Sequence, residues 1–475
     1  KDSFDLRLSS SIIELASIPQ LSKAIDSLCG TASVSIHAQG TYKQPGAEGK
    51  IAVKKIKYGM YPIDDIDLQF GFENQRLGIK GTAIAMLDGF YDLSNKGFSL
   101  KADLDSIQLR PFLAMTGQQL DGVLKTAIHL SGTTDSLEAT TGEMNIKSLV
   151  INYNKEKIVE THDLRMELVN KQYSVPDFSI LLAGEGKING HASGKIDGAH
   201  DAMLKGIVPL TVVQYFAPDL DEIEGRLTID ALFNGTIKEH TLKAELRPEG
   251  IGMVIPGISQ RLHSLNGLIV ATKDEVRIES LNAGIGNGAV RAKGNLKLDA
   301  LSPSDMMADL IMEAVPVSLP GMLDMTLNAN LRIAGTPDTT IASGTVVLLD
   351  GLYYQDIVIN PLASMGQKRK RKEAPPPAEI TLPYVRNMRF NVDLSGRTPF
   401  RVDNNMAQLY INPDLQLSGT LAAPSVNGRA AVEQGTISYL KRVFTVEKGV
   451  IDFVNPYAIE PKIDIRGTVP VQERI

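Results

Sequence analysis
The chain has 475 residues, of which 43% are hydrophobic and 22% charged, with no Trp and only 5% aromatic residues. That balance excludes a disordered polymer and a conventional membrane protein, and so few rings weigh against sugar-stacking surfaces and single-strand nucleic-acid platforms. A net charge of −6 argues against a phosphate-tracking protein, so no nucleic-acid partner is expected, and the single Cys29 excludes an intramolecular disulfide framework and a cysteine-based metal site.

The first residues, Phe4-Asp5-Leu6-Arg7-Leu8, already alternate like a strand, no initiator Met precedes them, and the last residues run straight out of another strand. The sequence therefore reads as a fragment, and its lack of a leader or anchor says nothing about the full protein. No run approaches the roughly eighteen apolar residues that would span a bilayer. Residues 12–28 are Pro-marked and do not alternate, which predicts a short helix or a connection laid across one end of a sheet. The same holds for 111–120, 209–223 and 315–320.

Between these segments the period is two. Ile66-Leu68-Phe70-Phe72, Phe98-Leu100-Ala102-Leu104, Leu164-Met166-Leu168, Leu327-Ala329-Leu331-Ile333 and Phe390-Val392-Leu394 alternate with polar neighbours such as Asp67, Gln69, Asn391 and Asp393. Each predicted strand has one greasy and one wet face, the pattern of an antiparallel sheet solvated on one side. Asn-Gly at Asn189, Asn234, Asn266, Asn287 and Asn427, and Asp-Gly at Asp88, Asp121, Asp197 and Asp350, supply hairpin turns. Residues 367–379, QKRKRKEAPPPAE, cannot pair in a sheet and read as a flexible basic, proline-rich insertion.

A Gly-Thr step recurs about every hundred residues, at Gly40, Gly132, Gly235, Gly335 and Gly419. Two and four residues before it stand apolar pairs: Ala38 and Ile36, Leu130 and Ile128, Phe233 and Ala231, Ile333 and Leu331, Leu417 and Leu415. A second glycine follows nine or ten residues later in four copies, at Gly49, Gly142, Gly344 and Gly428. A regular period marks a repeat architecture. Each strand offers an apolar face with no helices to cover it, so the sheet must close, fill itself or curl. A barrel does not accommodate so long a unit, and tight solenoids repeat at about 20–30 residues. The expected fold is all-β: an elongated repeating antiparallel sheet curled into a U-shaped hydrophobic groove, a β-taco, with short connecting helices. Roughly thirty strands at about 4.8 Å would make it about 140 Å long. The candidate groove lining is Ile36, Ala38, Ile128, Leu130, Ala231, Phe233, Leu331, Ile333, Phe390, Val392, Leu394, Leu415, Leu417, Ile463 and Ile465. The competing reading packs the same residues into a dry core.

No catalytic constellation, metal site or cofactor is expected. The seven histidines are scattered, and His37 and His129 occupy a repeat position that elsewhere holds Leu232, Arg332 and Gln416, so it reads as solvent-facing. Gly184-Glu185-Gly186 with Gly190 superficially matches a dinucleotide-binding turn. Gly194 and Gly198 follow at the same four-residue spacing and would weaken the helix that turn must open, so a hairpin is expected there.

From Leu415 onward the sequence resembles the C-terminal signature of the TamB family, within the AsmA-like bridge proteins of Gram-negative envelopes. The matching pieces, in order, are Leu415 to Thr420, Pro424 to Gly428, Gly435 to Tyr439, Phe444 to Val446, Gly449 to Phe453, Asn455-Pro456 and Pro461 to Ile465. The resemblance implies a periplasmic protein held in the inner membrane by a segment outside this sequence. Its C-terminal end would meet a BamA-like outer-membrane barrel, TamA, and its roles would be outer-membrane protein assembly and phospholipid movement. The expected division is a repeating groove over 1–366, the insertion over 367–380 and a truncated TamB-like domain over 381–475. The expected function is a conduit for phospholipid acyl chains across the periplasm. Two exposed chains of about fifteen carbons would cost roughly 24 kcal/mol in water, which an apolar trough avoids. The alternatives are a scaffold or chaperone for outer-membrane protein assembly with the TamA partner, and an extracellular adhesin or stalk.

Overall fold
The computed structural model describes residues 3–10, 12–18, 28–59, 61–83, 85–113, 119–216, 222–254, 260–299, 302–356, 387–420, 423–439, 442–455 and 461–469. The fold is all-β, and among the described residues helix is confined to single turns at Leu15–Ser17, Arg110–Leu113 and Thr211–Gln214. The insertion expected at 367–380 lies outside the described residues. The chain divides into two compact units, Lys1–Asp219 with Thr228–Leu242, and Leu220–Leu227 with Lys243–Ile475.

In the first unit each long strand pairs antiparallel with its sequence neighbour, from Ser3–Ser9 on Leu28–Thr41 through to Gly186–Lys195 on His200–Pro209. The Gly-Thr steps are hairpin closures. Gly40, Gly235, Gly335 and Gly419 take φ of +124°, +124°, +137° and +84°, and a Cβ on Gly40 or Gly335 would lie 2.4 or 2.0 Å from the carbonyl oxygen of Gln44 or Thr339. Only glycine tolerates that approach. The threonine then accepts the amide three residues on. Gln44 N–H donates to Thr41 Oγ1 (3.1 Å), Glu239 N–H to Thr236 (2.9 Å) and Ala423 N–H to Thr420 (3.2 Å).

The Pro-marked segments end strands as expected in two places. Tyr215, just past the turn of helix at Thr211–Gln214, sits 4.8 Å from the ring of Tyr153. The strand of Tyr153 lies four strands from His200–Pro209, about 19 Å across a flat sheet. The connection therefore folds back across the sheet. The expectation fails at 315–320. Those residues continue the strand Ser302–Leu319, with Val315 opposite Leu327 and Val317 opposite Met325. Val315 and Val317 favour a strand. Pro316 lies beyond the last rung with the preceding strand, Ala289 opposite Glu313, so its missing N–H removes no ladder bond on that side.

In the second unit two pieces break the antiparallel rule, Met388–Gly396 and Phe400–Asp403, the latter parallel to Thr340–Tyr353 with Leu352 opposite Arg401. Met388–Gly396 runs parallel to Thr340–Tyr353, Thr340 opposite Met388 through Leu348 opposite Gly396. The sheet is therefore mixed. Met388 stands beside Thr340, the starting end of Thr340–Tyr353, so the two strands run in the same sense. Two dry clusters anchor this unit: Leu327, Ala329 and Leu348, and Leu409, Val432 and Val446.

Candidate functional site
Directly opposed residues share a face of a sheet, so ladder register identifies the face each repeat presents. In the first unit Leu8 opposes Ile36, Ile36 opposes Gly49, and the row continues through Phe70, Ile79, Gly89, Leu100, Leu130, Gly142, Leu168, Tyr173, Gly194 and His200. A parallel row holds Leu6, Ala38, Ala47, Phe72, Leu77, Tyr91, Phe98 and Gly132. Neither row carries Asp, Glu, Lys or Arg. One position along, the opposite face reads Lys101, His129, Glu143 and Glu167 across four strands. Ile36, Ala38 and Leu130 thus lie on one apolar face, and Ile128 joins them opposite Ala102 and Met144. An open cavity of about 970 Å³ is lined by Leu8, Ile36, Gly49, Phe70, Ile79, Gly89 and their chain neighbours.

Glycine recurs on every third strand of the long row, at Gly49, Gly89, Gly142 and Gly194. A Cβ on Gly49 would fall 2.3 Å from Phe70 Cζ, and one on Gly142 would fall 3.2 Å from Leu130 Cδ1. Side chains of adjoining strands lie over the glycines, whose missing Cβ makes room for them. Gly49 and Gly142, the second glycines of their repeats, are members of this row.

In the second unit Leu331, Gly344, Val392, Leu417 and Val426 form one row, and Ala329, Val346, Leu394, Leu415 and Gly428 the next. Ile333 and Phe390 flank Ala342 in a third. Ile465 packs against the cluster around Val432, whereas Ile463, two residues earlier on the last described strand, is exposed.

Phe233 and Ala231 are placed by rings. Tyr173 and His200 stand 5.7 Å apart, His200 and Phe233 6.5 Å, and Phe233 and His240 4.9 Å, stacked at 24°. Phe233 therefore sits on the face of His200, and Ala231, two residues before it, shares that face by alternation. The imidazoles of this ladder are invisible to a search for metal spacing; only the register reveals them.

Burial on the apolar face is uneven. Val392 and Val175 are dry, but Leu100, Leu204, Met166 and Leu77 keep 36%, 37%, 40% and 43% of their surface exposed. The opposite face is stitched by ion pairs: Arg332 to Asp309 (2.7 Å), Arg429 to Asp452 (2.7 Å), Lys50 to Asp67 (2.7 Å), and Arg291 to Glu313. The Arg332 guanidinium, hydrogen-bonded to Asp309, holds that carboxyl below its ordinary range. His37 belongs to this wet face, between Asp5 and Glu48. Among the described residues no cluster of His, Cys, Asp or Glu could hold a metal ion, and no helix is long and apolar enough to cross a membrane.

Residues 279–474 match the family model described as the TamB C-terminal domain. No curated protein and no solved structure matches the chain. The match covers the region that holds both dry clusters and the whole C-terminal run of apolar rows, and it supports a fragment of the TamB family.

Proposed function
We propose that the apolar face is a conduit for the acyl chains of phospholipids between the two membranes of a Gram-negative envelope. The observation that carries this reading is the pair of charge-free rows from Leu8 to Leu168 and from Leu6 to Gly132, which leave Leu100 and Leu77 partly in water while ion pairs crowd the other face. A contiguous apolar strip left exposed marks a place where something greasy binds. Burying a CH₂ group is worth about 0.8 kcal/mol, so a chain lying along the strip recovers most of what it would lose in water. Adjacent rungs are nearly equivalent, which suits sliding better than tight capture. The match of residues 279–474 to the TamB C-terminal domain supports a place in the outer-membrane assembly system of the envelope. On this reading the protein works in the periplasm, anchored in the inner membrane by a segment outside this sequence, with its C-terminal end toward a TamA-type barrel. No catalytic step is assigned to it.

The test is photocrosslinking from single positions in cells. A probe at Leu130 or Leu417 should capture phospholipid, and one at His129 or Gln416, on the opposite face, should not. Capture of unfolded outer-membrane protein at Leu130 in place of lipid would replace the conduit with the assembly scaffold. Equal capture of lipid from both faces would remove the groove from the argument.

A further inference from the structure
The helical turns at Leu15–Ser17, Arg110–Leu113 and Thr211–Gln214 stand at one edge of the first unit's sheet, and the Gly-Thr turns at the other. Ser3 pairs with Thr41, so Ser9 and Leu28, on either side of Leu15–Ser17, lie away from that Gly-Thr turn. Gly97 pairs with Thr133, so Gln108 and Leu120, on either side of Arg110–Leu113, do the same. Pro209 leads into Thr211–Gln214 at the far end of a strand whose first residue, His200, lies on the row of Gly142 and Leu168.

Each of these connections lays an apolar group over a glycine. A Cβ on Gly30 would fall 3.0 Å from Leu15 Cδ1, one on Gly122 3.4 Å from Leu109 Cδ1, and one on Gly186 2.3 Å from Pro209 Cδ. All three glycines belong to the apolar face by alternation, Gly30 with Val34, Gly122 with Ile128 and Gly186 with Gly190. The face is dry at this edge: Ile56, Ile107 and Leu120 keep 5%, 8% and 2% of their surface, and Pro111 and Val212 are buried.

Toward the Gly-Thr turns the same face is wetter. A third row, from Val34 through Leu68, Ala102 and Ile128 to Met166, is as free of charge as the two nearer the turns. Leu77, Leu100 and Met166, one in each row, all stay partly in water. The turns beyond carry ions of both signs: Lys96 pairs with Asp135 (2.9 Å), and Lys171 with Glu138 (3.1 Å) and Asp197 (3.3 Å). An amphipathic ligand fits this arrangement in one sense only. Its chains meet the three rows and its head stays in water over the ionised turns, whereas the reverse sense would desolvate the head against Leu120 and Ile107.

We propose that phospholipid occupies only the half of the apolar face next to the Gly-Thr turns, with its head out over those turns, and that Leu15, Leu109 and Pro209 seal the other half against it. This rests on the lipid reading of the face.

The experiment offers the whole chain phosphatidylcholine that bears a nitroxide either midway along one acyl chain or on the choline head, in neutral detergent micelles, and reads paramagnetic relaxation by NMR. Leu130 and Leu120 stand about 34 Å apart along their strand, and the effect falls with the sixth power of distance, so the chain label should relax the methyls of Leu100, Leu130 and Met166 about ten-fold or more over those of Leu120 and Ile107. The head label should relax the amides of Thr41 and Thr133 more than those of Gly30 and Gly122. Leu15→Ser uncovers Gly30 and should let the chain label relax the Ile56 methyls several-fold more than in the wild type. Equal relaxation of Leu120 and Leu130, or a head label strongest at Gly30 and Gly122, overturns the sidedness and leaves the conduit standing. An Ile56 that stays shielded in Leu15→Ser overturns the seal. A chain label that relaxes none of these methyls sinks the conduit reading itself.

Discussion

A carboxylate placed on the apolar face separates an open strip from a dry core, and the two outcomes differ in size. Leu100 and Val175 both belong to the inward face of the first unit, but Leu100 is 36% exposed and Val175 only 8%. Fully burying a leucine is worth about 1.5–3 kcal/mol, so Leu100→Asp forfeits roughly two-thirds of that, about 1–2 kcal/mol, while its carboxylate keeps water. In a unit of this size such a loss lowers Tm by roughly 2–8 °C. Val175→Asp also strands an unpaired charge beside Ala192 and Ala202, which adds several kcal/mol and should unravel the strands around it. Thermal melts followed by circular dichroism give the first readout, and transfer of a labelled phospholipid between donor and acceptor membranes gives the second. Leu100→Asp should stay folded and lose transfer, because a one-dimensional path offers no way around the charge. Equal destabilisation by the two substitutions would mean that the face is a uniformly packed core. A folded Leu100→Asp that transfers lipid normally would show that the strip is not the route.

Three further outcomes follow from local geometry. Gly344→Ala should lose about 1–3 kcal/mol, because φ is +139° and the new Cβ would stand 2.1 Å from the Asn330 carbonyl oxygen, whereas Gly142→Ala, whose nearest new neighbour is the Leu130 side chain at 3.2 Å, should lose under about 1 kcal/mol in equilibrium unfolding. Thr236→Val removes the acceptor of the Glu239 amide and should cost about 1 kcal/mol, read as faster hydrogen exchange at that amide. Asp309 should titrate below the ordinary aspartate value of about 3.9 and return toward it in Arg332→Gln when its carboxyl carbon is followed by NMR. Since its folded pKa is depressed, whatever stability the pair gives is present above the unfolded value and lost as pH falls through the folded one.

Strand-by-strand alternation made the fold class legible, and with it the residues that share a face, since Ile36, Leu130, Leu331 and Leu417 need only a period of two to be assigned a side of their strands. The glycine row was not legible. Gly49, Gly89, Gly142 and Gly194 are irregularly spaced in sequence because the strands between them differ in length, and they align only when register is known. The parallel pairing of Met388–Gly396 was hidden for a related reason: its sense depends on the path of the connection before it, and no local residue pattern records that. At 315–320, Pro316 drew attention to a break, while the flanking Val315 and Val317 already favoured a strand. The extent of burial was the least legible. Leu100 and Val175 look alike in sequence, and only their neighbours decide that one stays wet.

That unevenness bears on how a conduit could work. Sliding demands rungs of nearly equal free energy, and a row of leucine, isoleucine, phenylalanine and glycine supplies them from Leu8 to Leu168. The ladder of Tyr173, His200, Phe233 and His240 breaks the equivalence, because rings that carry hydrogen-bonding groups replace the aliphatic side chains there. On the conduit reading a lipid advancing by its chains would therefore slow at the ladder. Replacing both imidazoles by phenyl rings would bring these rungs closer to the rest of the row and should speed transfer of a labelled phospholipid; transfer slowed by that change would refute the argument.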